Sequence, residues 1–252
     1  MVSNKDVSDS TGVAGNAAQK AVTLESSLVD YKGFNGSLSD YKWNPKPAKA
    51  PIVLLIFGVP GVGKSYVMKV FQEAHKDYEV KILNYGDVMF EVASKNYGIK
   101  HRDEMRAKLS VEQQKEIQLK AASSIAEKSR LGTNKMVYCV DTHATVETPN
   151  GYLIGVPPSV FNILNPDAIF LFNHNPEVVS KQRIKDNEAG LRKRDPSTEN
   201  IVRHQTVNQL VVEETAKACG VPAVIIERGI AMNPAVDAEF VYKSLTTLKR
   251  SK

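Results

Sequence analysis

The chain has 252 residues, 42% hydrophobic and 24% charged, with a formal net charge of +5. These values fit a globular α/β protein with an ample core, and exclude collagen-like, low-complexity and strongly charged disordered classes for the chain as a whole. The small, dispersed positive charge suits attraction of a polyanion such as a nucleotide and is not the clustered footprint of a nucleic-acid binder.

Residues 1–50 differ from the rest and read as a partly disordered N-terminal extension. Met1 to Lys20 is rich in Ser, Asp, Gly, Asn and Ala, so it cannot bury enough surface to offset its ordering entropy, and disorder is expected before about residue 25. It has no apolar signal core, and no run in the chain approaches the ~18 apolar residues of a membrane span. A cytoplasmic protein with no membrane partner is expected. A short echo follows, Ser27-Leu28-Val29-Asp30-Tyr31-Lys32 and Ser37-Leu38-Ser39-Asp40-Tyr41-Lys42. It is either a coincidence or part of an arm lying on the folded domain through Leu28, Tyr31, Phe34, Tyr41 and Trp43. Pro45 and Pro47 mark the junction to the domain at 51–252.

The first predicted strand, Ile52 to Phe57, is unbroken in its apolar character, as a strand buried on both faces requires. It runs into Gly58-Val59-Pro60-Gly61-Val62-Gly63-Lys64-Ser65. This is G-x-x-x-x-G-K-[ST] between a strand and a helix, the context that makes the motif credible. The glycines let successive backbone N–H groups turn inward round an anion, and the helix N-terminus adds its positive end. Gly58, Val59, Pro60, Gly61, Val62, Gly63, Lys64, Ser65 and Tyr66 are thus the expected nucleoside triphosphate cradle. Lys64 supplies the cation, and the Ser65 hydroxyl supplies a ligand to Mg²⁺.

The helix opened by the loop should run to His75, followed by a second strand over 79–83 and then Asn84-Tyr85-Gly86-Asp87. Helical patterns cover 88–95, a segment from Asp103, and a long stretch to Arg130 opened by the capping box Ser110-Val111-Glu112-Gln113. The charged run His101-Arg102-Asp103-Glu104-Met105-Arg106 is either a solvated face or a pair of arginines aimed at a phosphate. A third strand, 136–140, contains Cys139 and ends at Asp141-Thr142-His143. An acidic residue there, in a P-loop protein, is the expected Mg²⁺-associated carboxylate. His143 has no partner at metal-ligand spacing.

Thr148-Pro149-Asn150-Gly151 reads as a turn. A tight segment at Gly155-Val156-Pro157-Pro158, a short helix to Leu164 and a fourth strand over 168–172 come next. Asn175-Pro176 starts a helix carrying Lys181, Arg183 and Lys185. The polar stretch 186–198 holds Arg192-Lys193-Arg194, either an exposed basic loop or a mobile lid that brings arginines onto a phosphate. A long helix to Cys219, a fifth strand over 221–227 and a last helix from Asn233-Pro234 to Leu248 complete the chain. The two cysteines form no C-x-x-C, so neither a disulfide framework nor a zinc-bearing lid is expected. The element order predicts a parallel five-stranded sheet flanked by helices on both faces, with ligands at the strands' carboxyl ends.

Five segments together, Gly-Val-Pro-Gly-Val-Gly-Lys-Ser, Asn-Tyr-Gly-Asp, Arg-Asp-Glu-Met-Arg, Asp-Thr-His-Ala and Thr-Pro-x-Gly-Tyr-Leu-x-Gly-x-Pro, resemble archaeal-type adenylate kinases from Ile52 onward. The resemblance implies a P-loop kinase fold with a helical monophosphate-binding region, about 84–131, and a short lid, about 184–199. It implies Mg²⁺-dependent ATP + AMP ⇌ 2 ADP, with ATP, AMP and ADP as partners of a homotrimer. On this resemblance Asn84, Gly86, Asp87, Arg102, Arg106, Thr142, His143, Gly151 and Gly155 contact the acceptor. Lys64, Arg106, Arg183, Arg192 and Arg194 serve catalysis, and Ser65 and Asp141 serve the metal. The segment before Ile52 lies outside the family core. Two other readings stay open at this stage: a small P-loop kinase for CMP, UMP or another acceptor, and an RNA-assembly ATPase or nucleotide switch. A GTPase is disfavoured, because Asn134-Lys135-Met136-Val137 lacks the aspartate of Asn-Lys-x-Asp.

Overall fold

The computed structural model describes residues 40–148, 151–191, 194–230 and 233–248. The expected disorder before residue 25, and Leu28, Tyr31 and Phe34 of the expected arm, lie outside them. The first half of the chain forms β1 (Ile52–Phe57), α1 (Lys64–Ala74), β2 (Glu79–Asn84), α2 (Tyr85–Tyr97), α3 (Glu104–Lys108) and α4 (Val111–Lys128). Then come β3 (Met136–Asp141), β4 (Thr145–Thr148), β5 (Gly151–Ile154) and α5 (Pro158–Leu164). The last part forms β6 (Ala168–His174), α6 (Pro176–Glu188), α7 (Thr198–Cys219), β7 (Ala223–Arg228) and α8 (Pro234–Thr247).

Five strands pair in the order β2-β3-β1-β6-β7, every pairing parallel. β1 is buried at all positions and its side chains alternate between two cores. Val53, Leu55 and Phe57 join Ala121, Ala122, Ile125, Phe161 and Val211 from α4, α5 and α7. Ile52, Leu54 and Ile56 join Val67, Met68 and Phe71 of α1 and Val241 and Leu245 of α8. The period of two in the strand thus supplies both helical layers with apolar surface. The strand order runs from β1 to β3 on one side and from β1 to β6 on the other. The loop after β1 therefore sits at the switch point where such sheets bind ligands.

The structure alters several sequence expectations. The expected turn at 148–151 joins two short strands that the sequence reading did not foresee, an antiparallel hairpin with Thr145 opposite Ile154 and Thr148 opposite Gly151; Pro149 and Asn150 lie outside the described residues. α2 begins at Tyr85, because the Asn84 side chain accepts the Asp87 N–H and caps it there. β3 runs one residue further than expected, so that Asp141 is its last residue and pairs with Ile56. The fourth sheet strand continues to His174, and the fifth runs Ala223–Arg228. The expected lid at 184–199 begins inside α6, which continues to Glu188. Tyr41 and Trp43, ahead of the domain, do lie on it: Tyr41 is in the α5 core and Trp43 packs against that core.

Candidate active site

Gly58 has φ +149, and a Cβ there would stand 2.7 Å from the Phe172 carbonyl. Only glycine lets the loop leave β1 this close to β6. α1 starts at Lys64 from Gly63, which is left-handed at φ 84. Lys64 is buried, 6% exposed. Its ammonium donates to the Gly58 carbonyl at 2.9 Å and lies 3.6 Å from the Asp141 carboxylate. Burial pulls the Lys64 pKa below its ordinary value; Asp141 opposes that shift, and the charges of Arg194 and Arg228 add to it. The Ser65 hydroxyl donates to the other Asp141 oxygen at 3.0 Å. One carboxylate at the end of β3 therefore faces both polar side chains at the head of the loop. Tyr66 turns outward and is 58% exposed.

Beyond Asp141, Thr142 donates its N–H to the Ile56 carbonyl at 3.1 Å, which fixes the exit of β3 against β1. His143 Nδ1 lies 3.2 Å from the Gly58 carbonyl. Burial, reinforced by the Lys64 charge, pushes the His143 pKa down to about 3, so the ring is neutral at neutral pH. Gly155 lies against the His143 carbonyl where a Cβ would collide, and its N–H donates to Ala144 at 2.8 Å. Gly151 opens β5, with its carbonyl taken by the Thr148 hydroxyl at 2.8 Å.

Across the cleft, Arg102 binds Asp87 at 2.7 Å and reaches Asn84 Oδ1 at 3.4 Å. Its guanidinium fills the space beside Gly86 that a side chain would take. Asn84, Gly86, Asp87 and Arg102 are thus brought together at the carboxyl end of β2. Arg106 is exposed on the five-residue α3, outside that group.

The three expected lid arginines separate. Arg183 lies in α6, 3% exposed, and donates to the carbonyls of Pro60 at 3.2 Å and Asp195 at 2.7 Å. It links the glycine loop to Asp195 in the segment between α6 and α7. Arg194 exchanges both backbone hydrogen bonds with the Asn187 amide and lies 3.6 Å from Asp186. Arg192 lies outside the described residues.

Two groups escaped the sequence reading. Arg228, at the end of β7, is 7% exposed. It donates to the Val62 carbonyl of the loop at 2.7 Å, pairs with Asp237 at 2.8 Å and lies over the Phe172 ring. Its position at the carboxyl end of an apolar strand, like that of Asp141, was the available signal. The second group holds the hairpin. Asn208 Oδ1 accepts from the Thr145 N–H and hydroxyl, at 2.9 and 2.7 Å, and His204 contacts the Thr145 carbonyl and the Tyr152 ring.

A parallel sheet with a glycine loop at its switch point, a buried lysine in that loop and a serine–aspartate pair at its head defines a P-loop phosphotransferase. An AAA-domain family model matches residues 57–203. The adenylate kinase of Pyrococcus horikoshii is 43% identical over 160 residues, 63% of this chain and 77% of the relative. That of Sulfurisphaera tokodaii is 36% identical over 194 residues, 76% of this chain and 97% of the relative. The solved structure of the Deinococcus radiodurans tunicamycin resistance protein, 11% identical, covers 80% of this chain and 99% of its own with a TM-score of 0.50, a likeness of fold. The chain belongs to the adenylate kinase family and is a nucleoside monophosphate kinase.

Proposed function

We propose that the chain catalyses ATP + AMP ⇌ 2 ADP with Mg²⁺, and that the residues described above carry it. The observation that supports this most is the contact of Ser65, Asp141 and Lys64 at the head of the loop, with Arg102, Asn84 and Asp87 across the cleft. Phosphoryl transfer needs alignment and charge neutralisation, with no nucleophile from the protein. Backbone N–H groups of 58–65 cradle the donor phosphates, and Lys64 exchanges the Gly58 carbonyl for phosphate oxygens. A hydroxyl beside a carboxylate is a hard oxygen donor set that fits Mg²⁺, which keeps most of its ligands as water and phosphate. When bound, Mg²⁺ supplies charge neutralisation between the donor phosphates.

Arg102 holds the acceptor phosphate from the β2 side, with Arg106 joining it from α3. Thr142, His143, Gly151 and Gly155 form the wall facing the acceptor nucleoside. Arg194 and Arg192 come from the lid, which excludes water that would otherwise hydrolyse the donor. Arg183 holds that lid to the cradle. A homotrimer, as family resemblance implies, and a cytoplasmic location complete the reading. Among the described residues no helix is long and apolar enough to cross a membrane.

A coupled assay of ADP formation from ATP with each nucleoside monophosphate tests the proposal. AMP should be the best acceptor, and faster turnover with CMP or UMP would overturn the assignment. Light scattering should give three times the chain mass.

A further inference from the structure

The described segment 40–51 lies ahead of the matched family region, which starts at residue 57, yet it reaches the turn that follows Gly155. Tyr41 is 4% exposed, with its ring edge-on to Phe161 at 5.2 Å. Its hydroxyl donates to the Val156 carbonyl at 3.0 Å, beside Thr215 of α7. Val156 belongs to the turn that leaves the β4–β5 hairpin for α5. One residue earlier, Gly155 is bonded to Ala144 and packed on the His143 carbonyl. The turn is therefore held from two sides: by the backbone that follows Asp141, and by Tyr41.

The other arm contacts go elsewhere. Lys42 N–H donates to Asn162, the Trp43 indole to the Pro166 carbonyl at 2.7 Å, and Lys46 pairs with Asp167 at 3.0 Å. Asn44 and Asn165 exchange backbone and side-chain hydrogen bonds. These contacts fix the arm along α5 and the entry to β6, whereas the Tyr41 hydroxyl alone among them reaches the turn.

We propose that Tyr41 is a positioning residue for the acceptor nucleoside, setting the Gly155–Pro157 turn through the Val156 carbonyl. The inference rests on the proposed function, which places that turn in the acceptor wall. Without the hydroxyl, the buried Val156 carbonyl loses its partner, and the turn keeps only its backbone bonds at Gly155 and Pro157. The Tyr41 hydroxyl itself bonds to the turn, and not to the phosphate cradle.

The test compares Tyr41→Phe, which keeps the ring, with Trp43→Phe, which removes an arm contact remote from the turn. Tyr41→Phe should raise KM for AMP about fivefold while kcat and KM for ATP stay within about twofold of the native chain. Trp43→Phe should lower the unfolding midpoint and leave KM for AMP unchanged. The inference is overturned if Tyr41→Phe leaves KM for AMP unchanged, or if Trp43→Phe raises it equally. If the native chain forms no ADP from ATP and AMP, the functional reading falls and this inference with it. If the native chain turns over and Tyr41→Phe matches it, only this inference falls.

Discussion

The two sides of the cleft are built differently. The donor side lies between the two main cores, and its polar groups already partner one another: Lys64 with Gly58 and Asp141, Ser65 with Asp141, Arg228 with Val62, Arg183 with Pro60. The acceptor side is anchored in the main core by Tyr85 and Val88 of α2 and Ala121, Ala122 and Ile125 of α4, but its outer part around α3 rests on a satellite core of four buried residues, Ala93, Ile99, Leu109 and Ile117. Its arginines are partly or fully exposed. A preorganised cradle needs no rearrangement to receive charge. A segment on a small separate core opens at low free-energy cost. On the proposed assignment, the difference means that the fold holds the triphosphate site fixed and leaves closure to the outer monophosphate side and the 184–199 segment.

The largest effect should come from Lys64→Met, which should reduce turnover on the order of a thousandfold with the circular dichroism spectrum unchanged. Near-native ADP formation by that variant would remove the donor side from the comparison altogether. Next, Arg228→Met leaves Asp237 buried without its cation and takes a donor from Val62. The expected cost is about 3 kcal/mol of stability, read as a lower urea midpoint. A midpoint within error of the native value would mean that the cradle is not held from β7.

Arg102→Ala sharpens the contrast. It should raise KM for AMP about tenfold or more, as loss of a charge-assisted contact implies, with KM for ATP within about twofold. Equal rises in both constants would show that the two sides are one unit. The last effect is in pH and leaves turnover at neutral pH unchanged. Burial holds the His204 pKa down at about 4, so its 3.9 Å approach to Glu147 is not an ion pair at neutral pH. The unfolded chain takes up that proton near the ordinary value of 6.5, and the folded chain does so only near 4. The contribution is therefore fully present above about pH 6.5 and is lost as pH falls towards 4, with a slope of about 1.4 kcal/mol per unit. His204→Asn should flatten the unfolding free energy measured between pH 6.5 and 4.5. An unchanged slope would exclude His204 as the origin.

The donor side was legible because its signals are local. An apolar run, three glycines, Lys64 and Ser65 fall within fourteen residues, and Asp141 ends the next central strand. The β4–β5 hairpin was not, because each strand is four residues long and Asn208 and His204, some sixty residues onward, hold it in place. Arg228 reads as a surface residue until Asp237 and the Val62 carbonyl are seen beside it. Arg102 and Arg106 are indistinguishable in a charged run. What separates them is that the cap at Asn84 places Asp87 against the first.

The bond from Arg228 to Val62 spans 166 positions of sequence. Its ion-pair partner, Asp237, comes later still. On the ribosome, β1 and the glycine loop emerge long before the side chain that braces them. A nascent chain therefore cannot complete this brace on the loop until β7 and the start of α8 have been translated. Premature termination ahead of β7 would yield a fragment carrying the full nucleotide motif with an unbraced loop.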